Sequence, residues 1–269
     1  MGPARNQQAG DHQAMSAPGA LRVVEHLAIG ARRFWRPVVI GGVVMPVLTA
    51  ASLGVGMGHV VHSSKLDVPY LEFVTPALLA AAALMSAAGE ATYPVMAGFK
   101  WLRHFHGMAA TPLSPRQICD GVLLWITLRI TVNAALFLAI LTLFGGVHRS
   151  AAVLAIPAAT LTALAFAAPV MALSATIEAE SQAFNVLQRF VVMPMFLFSG
   201  TFYPLSQLPE WARWLAHVSP LWHGTQLARG VSLGHLPAAA AVGHLAYLGT
   251  LVVVGIVLAR WRFAVRLAR

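Results

Sequence analysis

This chain has little charge, almost no lysine and a single cysteine. Asp, Glu, Lys and Arg make up only 10% of its 269 residues, against about 25% in an ordinary soluble domain. So few charges cannot cover a water-exposed surface, which excludes the soluble globular classes. Cys119 stands alone, so no intramolecular disulfide can form and a cysteine-based metal cage is excluded. The sequence has no G-x-x-x-x-G-K-[ST] phosphate cradle, no H-E-x-x-H zinc helix and no G-x-S-x-G nucleophile elbow. Ser199-Gly200 lacks the preceding glycine that such an elbow needs. The eleven histidines are scattered, and His104 and His106 flank Phe105 without a carboxylate partner, so no metal site is expected. No catalytic constellation remains, and the chain reads as a non-enzyme. No cleavable signal peptide is expected either, because the first apolar run begins near Val38 without an A-x-A site.

What is present is hydrocarbon. The chain is 58% hydrophobic, with mean hydropathy +0.71. Its charges sit in clusters between apolar runs long enough to cross a bilayer, which takes about 20 residues per helix. This is the pattern of an all-α integral membrane protein. The net charge of +9 would point toward nucleic acid in a soluble protein. Here the same excess, almost all arginine apart from Lys65 and Lys100, reads as cytoplasmic orientation. No nucleic-acid partner is expected.

Met1–Gly19 is rich in Gly, Pro, Gln and Ala without periodicity and reads as a disordered tail. Leu21–Trp35 places Leu21, Val24, Leu27, Ala28, Ala31, Phe34 and Trp35 on one helical face, with Arg22, Glu25, His26, Arg32 and Arg33 on the rest. That predicts a helix lying in the membrane interface, arginines toward anionic headgroups, before Pro37 turns the chain inward. The first span is expected over Val38–Val60, with Gly54, Gly56 and Gly58 offering a close-packing face. A second follows over Leu71–Met96, containing Glu90. Ala97–Gly107 is cationic and aromatic. Ser114-Pro115-Arg116-Gln117 then carries the signature of a helix start, an N-cap serine with Pro at the first position and Gln reaching back. The third span therefore runs from Pro115 to about Phe144, the fourth over Val153–Thr176, the fifth over Phe184–Tyr203 and the sixth over Ala238–Ala259.

Six spans place both termini on one side. Inner segments would hold Arg5, Arg22, Arg32, Arg33, Arg36, Lys100, Arg103, Arg116, Arg189, Arg260, Arg262, Arg266 and Arg269. Outer ones would hold only Lys65, Arg149, Arg213 and Arg229. The bias makes the termini cytoplasmic. The expected organisation is a cytoplasmic tail (1–19), an interfacial amphipathic helix (20–37), a six-helix transmembrane domain (38–262) and a basic tail (263–269).

Glu90 and Arg129 are the charges deepest in the membrane, and they lie almost equidistant from the loop joining their spans. A charge at the bilayer centre costs about 2.5–3.5 kcal/mol on insertion scales. Three readings are open: a mutual salt bridge, a polar lining of a substrate path, or a proton-coupling carboxylate. Phe184–Gly230 begins as a membrane-grade run, breaks at Ser199-Gly200 and Pro204, and continues as two short helices. One opens at Pro209 with Glu210 behind it, and the next at Ser219-Pro220. Leu208, Trp211, Ala212 and Leu215 share a face, with Trp214 beside it. An interfacial aromatic belt and a lid over the end of a pathway both fit this stretch.

Two stretches carry a resemblance to a known family. GEATYPVMAGFKWLRHFHGMAATPLSPRQI is similar to the cytoplasmic coupling region of the permease subunits of type-2 ABC exporters, in their nodulation-type lipooligosaccharide and drug-resistance branch. PMFLFSGTFYPLSQLPEWARWLAHVSPLWHGTQLARG resembles that family's fifth span and its re-entrant outer helices. The resemblance implies a permease in a bacterial plasma membrane, paired with a second permease copy and driven by separate ATPase subunits. ATP and Mg would be bound by those subunits and none by this chain. It implies ATPase coupling through Phe99, Lys100, Trp101, Arg103, His104 and Phe105, with Glu178 and Glu180 as secondary contacts. Met193, Met195, Phe196, Phe198 and Phe202 would then form an outer gate beneath Trp211 and Trp214. The substrate implied is lipid-like or amphipathic: a lipid-linked glycan, a lipid or a drug. A proton-coupled secondary transporter and a non-catalytic scaffold subunit are the competing classes, and the first would show inverted repeats and several intramembrane carboxylates.

Overall fold

The computed structural model describes residues 16–32, 44, 47–49, 51–52, 70–145, 150–178, 182–202, 205, 209–234 and 236–268. The long helices among them follow from apolar runs. Most of the expected first span, its three glycines, most of the terminal tail and Glu180 lie outside the described residues.

Helix α1 (Ser16–Arg32) starts inside the stretch expected to be tail. Tertiary packing holds its N-terminal half: Ala20 and Val23 are buried against the start of α5 (Pro115–Leu143). The approach is close enough that a Cβ on Gly121 would stand 2.5 Å from Val23. The face packed on protein is therefore Ala20 and Val23 with half-buried Leu27, one residue round from the stripe expected through Leu21 and Val24. Leu21 and Ile29 point away, 58% and 61% exposed, as an interface-lying helix requires.

The second span is built from α2 (Tyr70–Ala91) and α3 (Tyr93–Lys100), joined at Thr92. Pro94 removes one backbone donor and its ring displaces the preceding turn, so the helix kinks there. Ser174, at the end of α6 (Ala155–Ser174), donates its hydroxyl to the Ala91 carbonyl at 2.7 Å, and so satisfies the break from a neighbouring helix. A short helix α4 (His104–Ala109) folds back beneath α3. Helix α5 opens on the capping box its sequence predicts. Ser114 N–H donates to Gln117 Oε1 at 2.8 Å, and Gln117 N–H donates to Ser114 Oγ at 3.3 Å.

A 3₁₀ turn (Ser150–Leu154) leads into α6, which packs with α2 at the centre of the bundle. Both are alanine-rich where they meet, which brings their backbones close. The expected fifth span is shorter and less regular than its sequence suggests. It comprises α7 (Ala183–Leu187), a π segment (Gln188–Val192) and α8 (Met193–Phe198). Pro194 has no N–H for the carbonyl of residue 190, and Met193 N–H instead reaches back to the Gln188 carbonyl, which widens the turn. At 1.5 Å per residue, Ala183–Phe198 covers about 24 Å, short of the roughly 30 Å hydrocarbon core. Gly200, at φ 71°, ends it.

Helices α9 (Glu210–Val218) and α10 (Pro220–Leu233) follow, then α11 (Ala238–Leu267). Pro209 stands at the capping position of α9, one residue earlier than expected, and Ser219 caps α10 by accepting from Leu221 N–H at 3.2 Å. Helix α10 is no surface loop: Leu221, Thr225, Leu227 and Ala228 are buried against α2, α6 and α11. Helix α11 continues two turns past the expected end of its span, through Arg260, Arg262 and Arg266. Among the described residues, four helical stretches are long and apolar enough to cross a membrane: Tyr70–Lys100, Pro115–Leu143, Ser150–Ser174 and Ala238–Leu267.

Candidate functional site

Three groups of residues could carry function, and the fold distributes them along the length of the bundle. The first is the hairpin of α3 and α4. Arg103, at φ 51°, is the only non-glycine residue with positive φ among those described, and it separates the two helices. Its carbonyl accepts from the His106 and Gly107 N–H groups, both at 3.1 Å, and starts α4. The cationic, aromatic segment is therefore shared between two helices folded on each other. Phe99 and Phe105, read as partner-facing, are each only 2% exposed. Their rings meet edge to face at 4.8 Å, and Phe99 also meets Phe263 of α11 at 4.8 Å. Gly98 permits this, because any side chain there would collide with Phe105.

The surface this leaves for a partner is Trp101, 51% exposed, with exposed Leu102 and Arg103 and half-buried Lys100 and His104. Lys100 Nζ lies 5.7 Å from the centre of the Trp101 ring. Burial holds the His104 imidazole below its ordinary pKa, and nearby His26 adds to the effect. Glu178 is exposed just past the end of α6.

Three residues that composition hides among the terminal arginines brace this hairpin. Arg266 Nη1 donates to the carbonyls of Ser174 (3.2 Å), Ala175 (3.0 Å) and Ile177 (2.8 Å), capping α6, while its guanidinium covers Phe99 at 4.5 Å. Arg260 grips both oxygens of Asp120, at 2.7 and 2.8 Å. Phe263 is completely buried. Positive-inside counting treats these arginines as interchangeable; only the continuation of the helical period past Ala259 could have signalled specific partners.

The second group is the intramembrane pair. Arg129 Nη1 lies 2.7 Å from Glu90 Oε1, with side chains 25% and 18% exposed. One turn further along both helices, Asn133 Nδ2 donates to Ser86 Oγ at 3.3 Å. The two contacts form a polar ladder between antiparallel neighbours, and the i+4 and i−4 spacings from Arg129 and Glu90 could have revealed the second rung.

The third group lies around the break of the fifth span. Phe196 and Phe202 pack edge to face at 5.3 Å, and Phe198 meets Trp211 at 5.6 Å. Met195 is half-buried and Met193 43% exposed, whereas Trp214 turns outward at 76%. Sequence reasoning missed the residue that holds this region together. Arg229, counted only as an outer charge, donates to the carbonyls of Phe73 (3.2 Å) and Gly200 (3.1 Å), with its guanidinium 3.9 Å from the centre of the Phe73 ring. Thr225 and Tyr70 donate to the Ser199 and Phe202 carbonyls, each at 3.3 Å.

The junction of α9 and α10 is clasped to α11. Tyr247 donates its hydroxyl to the Val218 carbonyl and stacks on His223 at 3.9 Å. His223 Nε2 must donate to the His217 carbonyl (3.0 Å), so its Nδ1 is the acceptor for His244 Nδ1–H at 2.8 Å. Among the described residues, no group of His, Cys, Asp or Glu could hold a metal ion.

A membrane bundle with a folded hairpin at one end and a broken apolar helix at the other invites comparison with known transporters. The model of the ABC-2 type transporter family matches residues 28–233. The chain belongs to that family. It is similar to nodulation protein J of Sinorhizobium fredii (strain NBRC 101917 / NGR234), 27% identical over 211 residues, covering 78% of this chain and 79% of that protein. Nodulation protein J of Rhizobium leguminosarum bv. viciae is 28% identical over 217 residues, 80% and 82% of the two chains. That of Rhizobium meliloti (strain 1021) is 25% identical over 215 residues, 77% and 81%. This ABC-2 permease is a multi-pass membrane transport protein, and membership implies association with ATP-binding-cassette partners.

Proposed function

We propose that this chain is the membrane-spanning subunit of an exporter, driven by ATPase subunits on separate chains, that moves a lipid-like or amphipathic substrate outward. It works beside a second permease copy in a bacterial plasma membrane, with six spans and cytoplasmic termini. ATP and Mg bind the partner ATPase. The observation that carries this reading is the family match across both the hairpin and the broken span, in a chain whose sequence has no phosphate cradle of its own.

Force enters through the exposed tip of the hairpin, at Trp101, Leu102 and Arg103, with Lys100 and His104 at its margin. Phe99 and Phe105 transmit it inward to Phe263, and Glu178 and Glu180 border the same face. The outer gate is the aromatic and methionine cluster from Met193 to Phe202 under Trp211, with Trp214 at the surface. A proton-coupled carrier needs a carboxylate free to cycle, whereas Glu90 is held by Arg129.

Co-purification tests the proposal. A tagged chain expressed from its native host should bring down an ATP-binding-cassette subunit, and Trp101→Ala/Arg103→Ala should weaken that capture. A chain that captures no ATPase, or that transports without ATP hydrolysis, sinks it.

A further inference from the structure

Between the amphipathic helix and the charged pair lies a cleft of about 460 Å³, within the range of ligand pockets. His26 of α1, Glu90, Leu102, His104, and Trp125 and Arg129 of α5 are among its walls. It runs from the cytoplasmic hairpin to the ion pair inside the membrane, and the rest of its lining is mostly hydrocarbon.

The polar groups in this cleft are incompletely used. Arg260 holds both oxygens of Asp120, but Glu90 and Arg129 meet through Nη1 and Oε1 alone among the described residues. A guanidinium has five N–H donors and a carboxylate two oxygens, so both groups keep capacity toward the cleft. His104 Nε2 is buried there without a hydrogen-bond partner. A buried polar atom left unmatched is costly, and such atoms are normally satisfied.

We infer that this cleft binds the zwitterionic headgroup of a membrane lipid, one carrying a phosphate and a primary ammonium together. A simple anion would face Glu90 and a simple cation would face Arg129, and in a low-dielectric wall either mismatch is expensive. A zwitterion sets its phosphate toward Arg129 and its ammonium toward Glu90. The ammonium N–H groups find a further acceptor in the neutral imidazole of His104. A quaternary ammonium has no N–H to give and loses that contact. The ligand is a lipid rather than a soluble zwitterion because of where the cleft opens. Its rim includes Leu102, 69% exposed, beside the amphipathic helix whose Leu21 and Ile29 point outward, at the level of cytoplasmic headgroups. The site lies in this chain alone and stands or falls without the ATPase.

Native mass spectrometry of the delipidated full-length protein tests the inference. Phosphatidylethanolamine, phosphatidylcholine and phosphatidylglycerol of matched acyl chains are offered in equal amounts. Phosphatidylethanolamine should be retained about tenfold over the other two, the size of a charge-assisted hydrogen bond. Glu90→Gln/Arg129→Gln, which removes both charges together, should abolish the preference, and His104→Phe should reduce it by about threefold. Excess soluble phosphoethanolamine should leave the bound lipid in place. Equal retention of the three lipids overturns the inference, as does a double variant that keeps the preference. Displacement by phosphoethanolamine overturns the assignment to a lipid. Should the double variant not fold by size-exclusion chromatography, His104→Phe decides, and an unchanged preference there is the negative result.

Discussion

At the end of the bundle that carries the α3–α4 hairpin, ties spread outward from one helix. From α11, Arg260 reaches α5, Arg266 reaches the end of α6, and Phe263 reaches the hairpin. At the opposite end, ties converge on one place. Arg229 and Thr225 of α10 and Tyr70 of α2 all donate to backbone carbonyls between Ser199 and Phe202. A hub of side chains ties the hairpin end together across distant helices. The opposite end is instead held by a ring of hydrogen bonds around one helix break.

The largest expected effect tests the hairpin end. Phe263→Ala leaves a cavity among Phe99, Phe105 and Phe263 and should cost about 3–5 kcal/mol in a reversible unfolding titration. Hydrogen exchange should rise through 99–109 and leave 199–202 unchanged. A loss below about 1 kcal/mol would mean that the cluster is not packed as a unit. Next comes Arg229→Met, which removes charge-assisted bonds to the Phe73, Gly200 and Thr201 carbonyls. It should cost about 2–3 kcal/mol and raise exchange at 199–202 and 220–233 while sparing the hairpin. Equal loosening of both ends would break the comparison.

Arg260→Gln should matter less. Its pair with Asp120 is exposed, at 44% and 29%, so the change should be under about 1 kcal/mol and shrink further in high salt. The smallest effect is that of pH on the clasp. Burial holds His223 below the ordinary imidazole value of 6.5, and the His244 and His217 side chains oppose its charge, while its bond to the His217 carbonyl works the other way. The docked state therefore binds fewer protons than the undocked one, so stability is present at higher pH and falls as pH drops below about 6.5. Protonated Nδ1 of His223 would also face His244 Nδ1–H. Tyr247 and Trp222 complete the surroundings of the pair. Exchange at 217–223 should accelerate on acidification, and His223→Phe should flatten that dependence.

Much of the candidate site was legible because the membrane makes exceptions conspicuous. A carboxylate and an arginine within apolar runs, equidistant from a loop, announce a shared depth; Ser114 to Gln117 announces a helix start. Phe99 and Phe105 were misread in orientation because an aromatic in a basic loop looks the same whether it faces a partner or its own chain. Their burial depends on Phe263, more than 150 residues away, and no local pattern carries that. Arg229 was hidden for a related reason. Its partners are backbone carbonyls, freed by a helix break and bearing no side-chain signature.

By itself, the sequence determined that this protein is a helical membrane bundle. Hydrocarbon solvent leaves a spanning segment little choice but to form a helix. Tertiary structure decided which arginines hold something and which only orient the chain, and which aromatics point inward. It also decided that α10 returns among the spans rather than lying over them. Those outcomes depend on where carbonyls and rings from distant helices come to rest, and only the assembled packing brings them together.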